Sequence, residues 1–122
     1  MILYRPVGLE ELELIIQSGY KSYPPRLPEQ PIFYPVLNFE YAEQIARDWN
    51  MKSGSFAGFV TRFEIDDEYV ARFPVQVVGG RIHQELWVPA EELDELNSHI
   101  LGPIAVEAAY YGDKFTGVKP AV

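Results

Sequence analysis

The chain has 122 residues, 48% of them hydrophobic and none of them cysteine, which predicts one domain with its own core and excludes disulfides, thiolate metal sites and a cysteine nucleophile. Ten basic residues against 18 acidic residues give a net charge of -8, which repels phosphate backbones and disfavours nucleic acid as a partner. No apolar run of ~20 residues and no basic-plus-apolar N-terminal signal occurs, so we expect a soluble cytoplasmic protein that does not bind membranes.

The N-terminal region reads as a strand, a helix and a loop. Met1 to Arg5 is β-prone, and the segment from Leu9 to Ser18 places four aliphatic side chains on one helical face before Gly19 ends the helix. Residues 20–31 contain four prolines, which lack amide donors and restrict the residues before them. We therefore predict an extended loop there.

The rest of the chain alternates short strands with short helices. Ile32-Phe33-Tyr34 is a brief strand interrupted by Pro35, and Asn38 caps a helix with apolar residues at three- and four-residue steps up to Trp49. The later predicted elements are a half-buried strand over 59–65, a helical turn over 68–72, strands over 75–78 and 85–88, an acidic helix over 90–97 and a strand over 104–110. This pattern predicts a single α+β domain over 1–111 with a split, mostly antiparallel sheet and a few short helices, followed by a weakly ordered tail over 112–122.

One carboxylate stands at a distinctive position. The pair Gly79-Gly80 leads through His83 to Glu85, which opens the apolar segment Leu86-Trp87-Val88. Glycine permits backbone conformations closed to other residues, so such a junction can hold an acid at a defined angle to a ligand. We place the chemistry at Glu85; the alternative is a solvated charge that discourages strand pairing at a sheet edge.

Four stretches in this order resemble the ADP-ribosyltransferase fold, in which a split sheet holds NAD in a cleft. They are Leu3-Tyr4-Arg5 with the helix after it, Ile32-Phe33-Tyr34 with the helix through Tyr41-Ala42, the loop and strand ending in Glu85-Leu86-Trp87-Val88, and Ile100 to Val106. The resemblance covers most of residues 3–110. It implies NAD as the substrate, with Glu85 as the catalytic glutamate near the ribose.

The resemblance also implies roles for other residues, and each role has an alternative. Arg5 would hold the pyrophosphate or ribose of NAD, or else form a surface ion pair with an acid of the next helix. Phe33, Tyr34 and Tyr41 would stack on the nicotinamide, or pack in the core; because Phe33 and Tyr34 alternate, only one of the two should line the cleft. His83 would be a polar contact or proton carrier beside Glu85, or an ordinary loop residue.

The sequence departs from the family at two places. Pro6 follows Arg5 where glycine and a hydroxyl residue are common, and His83 stands where arginine-modifying members have glutamate or glutamine. With His99 the only other histidine, no ligand set for a metal is expected. The resemblance implies transfer of ADP-ribose to a protein or small molecule, or hydrolysis of NAD at the nicotinamide–ribose bond. The alternative is a non-catalytic α+β adaptor domain that engages a protein partner.

Overall fold

The computed structural model describes all residues from 1 to 122. The strands are β1 (Ile2–Gly8), β2 (Ile32–Phe33), β3 (Ala57–Ile65), β4 (Val75–Val77), β5 (Gln84–Leu86), β6 (Val88–Pro89) and β7 (Ile100–Tyr111). The helices are α1 (Leu9–Gln17), α2 (Phe39–Asp48), α3 (Asp67–Val70) and α4 (Leu93–Ser98), with 3₁₀ turns at Asn50–Lys52 and Ala90–Glu92. The predicted α+β class with antiparallel sheets and short helices is confirmed.

The sheet is divided into three parts. β3 lies between β1 and β7, while β2 pairs with β6 and β4 pairs with β5, and every one of these pairs is antiparallel. A single residue, Val36, forms isolated bridges to Tyr4 of β1 and to Glu85 of β5. The backbone at Val36 therefore holds the start of β1 close to the strand that carries Glu85.

The two longer helices form where their local signals predict them. Leu12 and Ile15 of α1 are fully buried, as the three-residue spacing indicates. The Asn38 side chain accepts a hydrogen bond of 2.8 Å from the Tyr41 amide and so caps α2, as predicted. Asn38 also donates to the Ile82 carbonyl at 2.6 Å, which ties the start of α2 to the loop before β5.

β3 is more deeply buried than its alternating sequence predicts. Phe59 and Phe63 belong to the main hydrophobic core, while Val60, on the opposite face, is also fully buried because α2 covers it. A Cβ atom added to Gly58 would lie 2.4 Å from the Ala46 carbonyl oxygen, so the helix approaches the strand closely. The prediction of a half-buried strand was wrong for its first half, because two layers cover it.

Three later boundaries differ from the sequence predictions. The predicted strand over 85–88 is interrupted at Trp87, since β5 pairs with β4 and β6 turns to pair with β2. The acidic helix begins as a 3₁₀ turn, and β7 starts at Ile100 rather than at 104. Residues 112–122 form no helix or strand, although the Phe115 ring lies 4.8 Å from that of Tyr111. None of the helices has the length and apolar character needed to cross a membrane.

Candidate functional site

The largest cleft of the molecule has a volume of about 540 Å³ and lies between β1, the proline-rich loop and α2. The lining residues that matter for its chemistry are Arg5, Glu11, Arg26, Tyr34, Tyr41 and Trp49. Two guanidinium groups and one carboxylate make its charged lining positive, although the chain as a whole carries a net charge of -8. The cleft therefore suits an anionic ligand with a flat ring.

Arg5 is held rigidly in this cleft. Its Nε and Nη2 atoms each donate to a different oxygen of Glu11 at 3.1 Å, and the residue is only 5% exposed. The guanidinium carbon also lies 4.8 Å from the centre of the Phe33 ring and 5.4 Å from that of Tyr34. The alternative expected from the sequence was a surface ion pair between Arg5 and an acid of the next helix. The ion pair forms, with Glu11, but it is largely buried rather than on the surface.

The backbone beneath Arg5 is anchored by a buried hydroxyl chain. Thr61 Oγ1 donates to the Arg5 carbonyl at 2.7 Å, and the Tyr23 hydroxyl lies 2.8 Å from the same Oγ1. Burial raises the pKa of the Tyr23 phenol well above its ordinary value, so Tyr23 stays protonated and donates to Thr61. Sequence reasoning missed this pair, although Thr61 is a polar residue among phenylalanines on the core-facing side of β3.

Arg26 enters the cleft from the proline-rich loop and is the cation there that lacks an acidic partner. It forms no ion pair, and its Nε atom is buried without a hydrogen-bond partner. Burial and the nearby charge of Arg5 lower the pKa of the Arg26 guanidinium, which means that its positive charge is poorly compensated. An anion bound beside Arg26 would provide that compensation.

Glu85 is buried and fully engaged in hydrogen bonds. One oxygen accepts from the Tyr41 hydroxyl at 2.7 Å and the other from the Trp87 indole nitrogen at 2.6 Å, and the residue is 8% exposed. The alternative of a solvated strand-edge charge is therefore wrong. Burial, reinforced by the hydrogen bond to Glu85, raises the pKa of Tyr41, which keeps its hydroxyl a donor at neutral pH.

The structure brings most of the predicted site residues into one neighbourhood. Arg5, Tyr34 and Tyr41 line the cleft, while Glu85 is absent from its lining and reaches it through Tyr41. Phe33 is fully buried in the core and does not line the cleft, so the prediction that only one of Phe33 and Tyr34 does is confirmed. The candidate role of Phe33 as a nicotinamide contact is thus not supported by its position.

His83 lies beside Tyr41 rather than in the cleft. The two ring centres are 4.7 Å apart, and His83 Nδ1 accepts from the Gly80 amide at 2.8 Å. Its Nε2 atom lies 2.9 Å from the side-chain oxygen of Gln44, to which it donates once Nδ1 is an acceptor. His83 therefore supports the ring of Tyr41. Because β5 begins only at Gln84, His83 is not part of the strand and does not share a strand face with Glu85.

The cleft thus combines groups for three kinds of contact. Arg5 and Arg26 can meet an anion, the rings of Tyr34 and Trp49 can meet a flat heterocycle, and Tyr41 connects the cleft to a carboxylate. Trp49 is 70% exposed. The sequence indicated only an apolar helix position there and did not predict that Trp49 lines the cleft. Comparison of the chain with protein-family models, curated proteins and solved structures found no match.

Proposed function

We propose that this chain is an NAD-binding protein of the ADP-ribosyltransferase type that cleaves the bond between nicotinamide and ribose. The observation that carries the proposal is the connection of Arg5 and Glu85 through a single cleft. The two residues are 80 positions apart in the sequence, yet Arg5 lines the cleft and Glu85 is hydrogen-bonded to Tyr41, which lines it too. The ADP-ribose is then transferred either to an acceptor or to water, and transfer to water amounts to hydrolysis of NAD.

The charges of the cleft support a dinucleotide as the ligand. Arg26 lacks an acidic partner, and Arg5 shares its charge with Glu11. A pyrophosphate bound near both guanidiniums would offset the repulsion between them and would satisfy donors that face the cleft. Tyr34 and Trp49 offer aromatic faces for the flat rings at the two ends of such a ligand.

The role of Glu85 follows from the reaction. When the carbon–nitrogen bond breaks, nicotinamide leaves with the electron pair and the ribose becomes oxocarbenium-like. Water or an acceptor oxygen then attacks the same carbon, and its proton is released to solvent. A carboxylate that accepts hydrogen bonds from the ribose hydroxyls stabilises the growing positive charge. Tyr41, which now donates to Glu85, marks the position that a ribose hydroxyl would take.

Nicotinamide release from NAD tests this proposal. Purified protein is incubated with NAD and the free nicotinamide is quantified by chromatography, while calorimetry measures NAD binding. We expect Glu85→Gln to lower the rate by about a hundredfold with the fold retained, since one stabilising group commonly contributes that much. Glu91→Gln is the matched control, because Glu91 is exposed and outside the cleft. A Glu85→Gln rate equal to that of the parent would remove Glu85 from the mechanism.

A non-catalytic adaptor domain is the second candidate, and one observation favours it. Two of the charged groups of the site already have partners within the chain, since Glu11 holds Arg5 while Tyr41 and Trp87 hold both oxygens of Glu85. Arg5 and Glu85 therefore need no ligand to satisfy them. If the same experiment showed no heat of NAD binding and no nicotinamide release, that result would support this candidate and overturn the first.

A further inference from the structure

A second, basic cleft lies where β3 begins and β7 ends. It has a volume of about 350 Å³, and its apolar lining residues are Met51, Phe56 and Tyr111. Its other lining residues are Lys52, Lys114, Gly112 and Asp113. We propose that this cleft binds a planar aromatic anion, that is, an aromatic ring that carries a carboxylate or a phosphate. The proposal does not depend on NAD chemistry in the first cleft.

The charge at this cleft is opposite to that of the whole chain. Three of the four lysines, Lys52, Lys114 and Lys119, lie at the cleft or beside it, and none of them forms an ion pair. Asp113 is the single acidic residue of the lining. In a chain with a net charge of -8, three lysines beside a single carboxylate attract an anion from solution.

The rings of the cleft keep two of these cations in position. The Lys114 ammonium lies 5.7 Å from the centre of the Phe56 ring, and the Lys119 ammonium lies 4.7 Å from that of Tyr111. Ammonium groups are attracted to aromatic faces, so the two side chains are held at these rings rather than spread in solvent. The rings therefore provide both an apolar wall and a support for the charges.

The backbone around this second cleft has two unusual features, one at Phe56 and one at Gly112. Phe56 has a φ of 58°, a left-handed conformation that is unusual for a bulky residue and is associated with functional sites. The Gly112 amide donates to the Phe56 carbonyl at 2.9 Å, which maintains this conformation. A Cβ atom added to Gly112 would lie 2.4 Å from the Met51 carbonyl oxygen, so glycine is required there. The cleft is thus formed before any ligand binds.

These features select one class of ligand. Lysine acts as a point charge that suits a single carboxylate or phosphate, in contrast to the fork of arginine. The three apolar side chains of the lining suit a flat ring packed beside that charge. Neither an anion without a ring nor a ring without a charge would use both the lysines and the apolar side chains.

Amide NMR titrations with phenyl phosphate, benzoate, inorganic phosphate and phenol test the proposal on the full chain. We expect phenyl phosphate or benzoate to shift the Gly112 amide and to bind more tightly than inorganic phosphate or phenol. The Gly102 amide, which lies outside both clefts, should not respond at the same concentrations. The relative affinities of phenyl phosphate and benzoate identify the preferred anionic group.

A charge-reversal variant provides the second test of the proposal. The double variant Lys52→Glu and Lys114→Glu should weaken binding by about tenfold or more, because it turns two attractive charges into repulsive ones. Lys21→Glu changes the one lysine that neither lines the cleft nor contacts its rings, and it should leave the affinity unaltered. Equal binding to the parent and the double variant, or inorganic phosphate binding as tightly as phenyl phosphate, would overturn the proposal. Circular dichroism confirms that the exposed substitutions leave the fold intact.

Discussion

Glu11→Gln tests how much the buried ion pair in the first cleft contributes to stability. Glu11 accepts two hydrogen bonds of 3.1 Å from Arg5, and the side chains of Arg5 and Glu11 are 6% and 21% exposed. Glutamine keeps nearly the same shape and one acceptor oxygen, but it leaves the guanidinium charge without a counter-charge. Removing one partner of a fully buried pair costs about 3–5 kcal/mol.

The expected cost of Glu11→Gln is smaller than that limit. The cleft admits water on one side of the pair, and the amide oxygen of glutamine still accepts one of the two bonds. We therefore expect a loss of roughly 2 kcal/mol in the free energy of unfolding. For a domain of this size each kcal/mol lowers Tm by about 4 °C, so Tm should fall by about 8 °C.

Urea unfolding followed by circular dichroism measures this loss. Glu13→Gln is the matched control, since Glu13 lies on the same helix, is exposed and forms no ion pair. It removes the same charge and should change stability by less than about 0.5 kcal/mol. If Glu11→Gln cost no more than Glu13→Gln, Arg5 would not depend on its partner and the picture of a rigidly held guanidinium would be refuted.

Two further predictions concern packing and pH. Gly58→Ala should cost about 2 kcal/mol or more, because the new Cβ would lie 2.4 Å from the Ala46 carbonyl oxygen and 2.9 Å from Asn50 Cβ. Gly54→Ala, with open space but a φ of +57°, should cost only about 1 kcal/mol, and equal losses in urea unfolding would contradict the close approach of α2. Burial and the hydrogen bond to Glu43 raise the pKa of Tyr110 from 10.0 to about 12. The folded protein favours the neutral form of the Tyr110 phenol. The stabilisation that this phenol contributes is therefore complete below pH 10 and is lost as the pH rises towards 12. Tyr110→Phe should therefore lose less stability than the parent between these pH values, and an equal loss in urea unfolding would count against the assignment.

The candidate site was only partly predictable. The glycine pair and the strand position led to Glu85, while the resemblance implied Tyr34 and Tyr41, and the structure places all three in or next to one cleft. The same patterns did not reveal that Tyr41 separates Glu85 from the cleft, because the two residues are 44 positions apart. A hydrogen bond over such a separation leaves no periodic trace in the sequence.

The lysine cleft illustrates the same limit. Its apolar and charged residues come from the segment around the 3₁₀ turn at Asn50–Lys52 and from the end of β7. Neither segment has a motif, and each lysine by itself is an ordinary surface residue. Only the antiparallel register of β3 and β7, in which Ala57 is opposite Tyr111, brings the two segments together.

Local sequence signals were sufficient to predict the buried face of α1, the Asn38 cap of α2 and the loop with four prolines, and together they indicated the α+β class. These depend on interactions between residues a few positions apart, such as helical spacing and side-chain capping. Only long-range contacts establish that β3 is covered on both faces, that Thr61 and Tyr23 support the backbone of Arg5 and that β5 and β6 take different partners. Each of these depends on which distant segments share a layer, and that choice minimises exposed apolar surface over the whole chain rather than within any one segment.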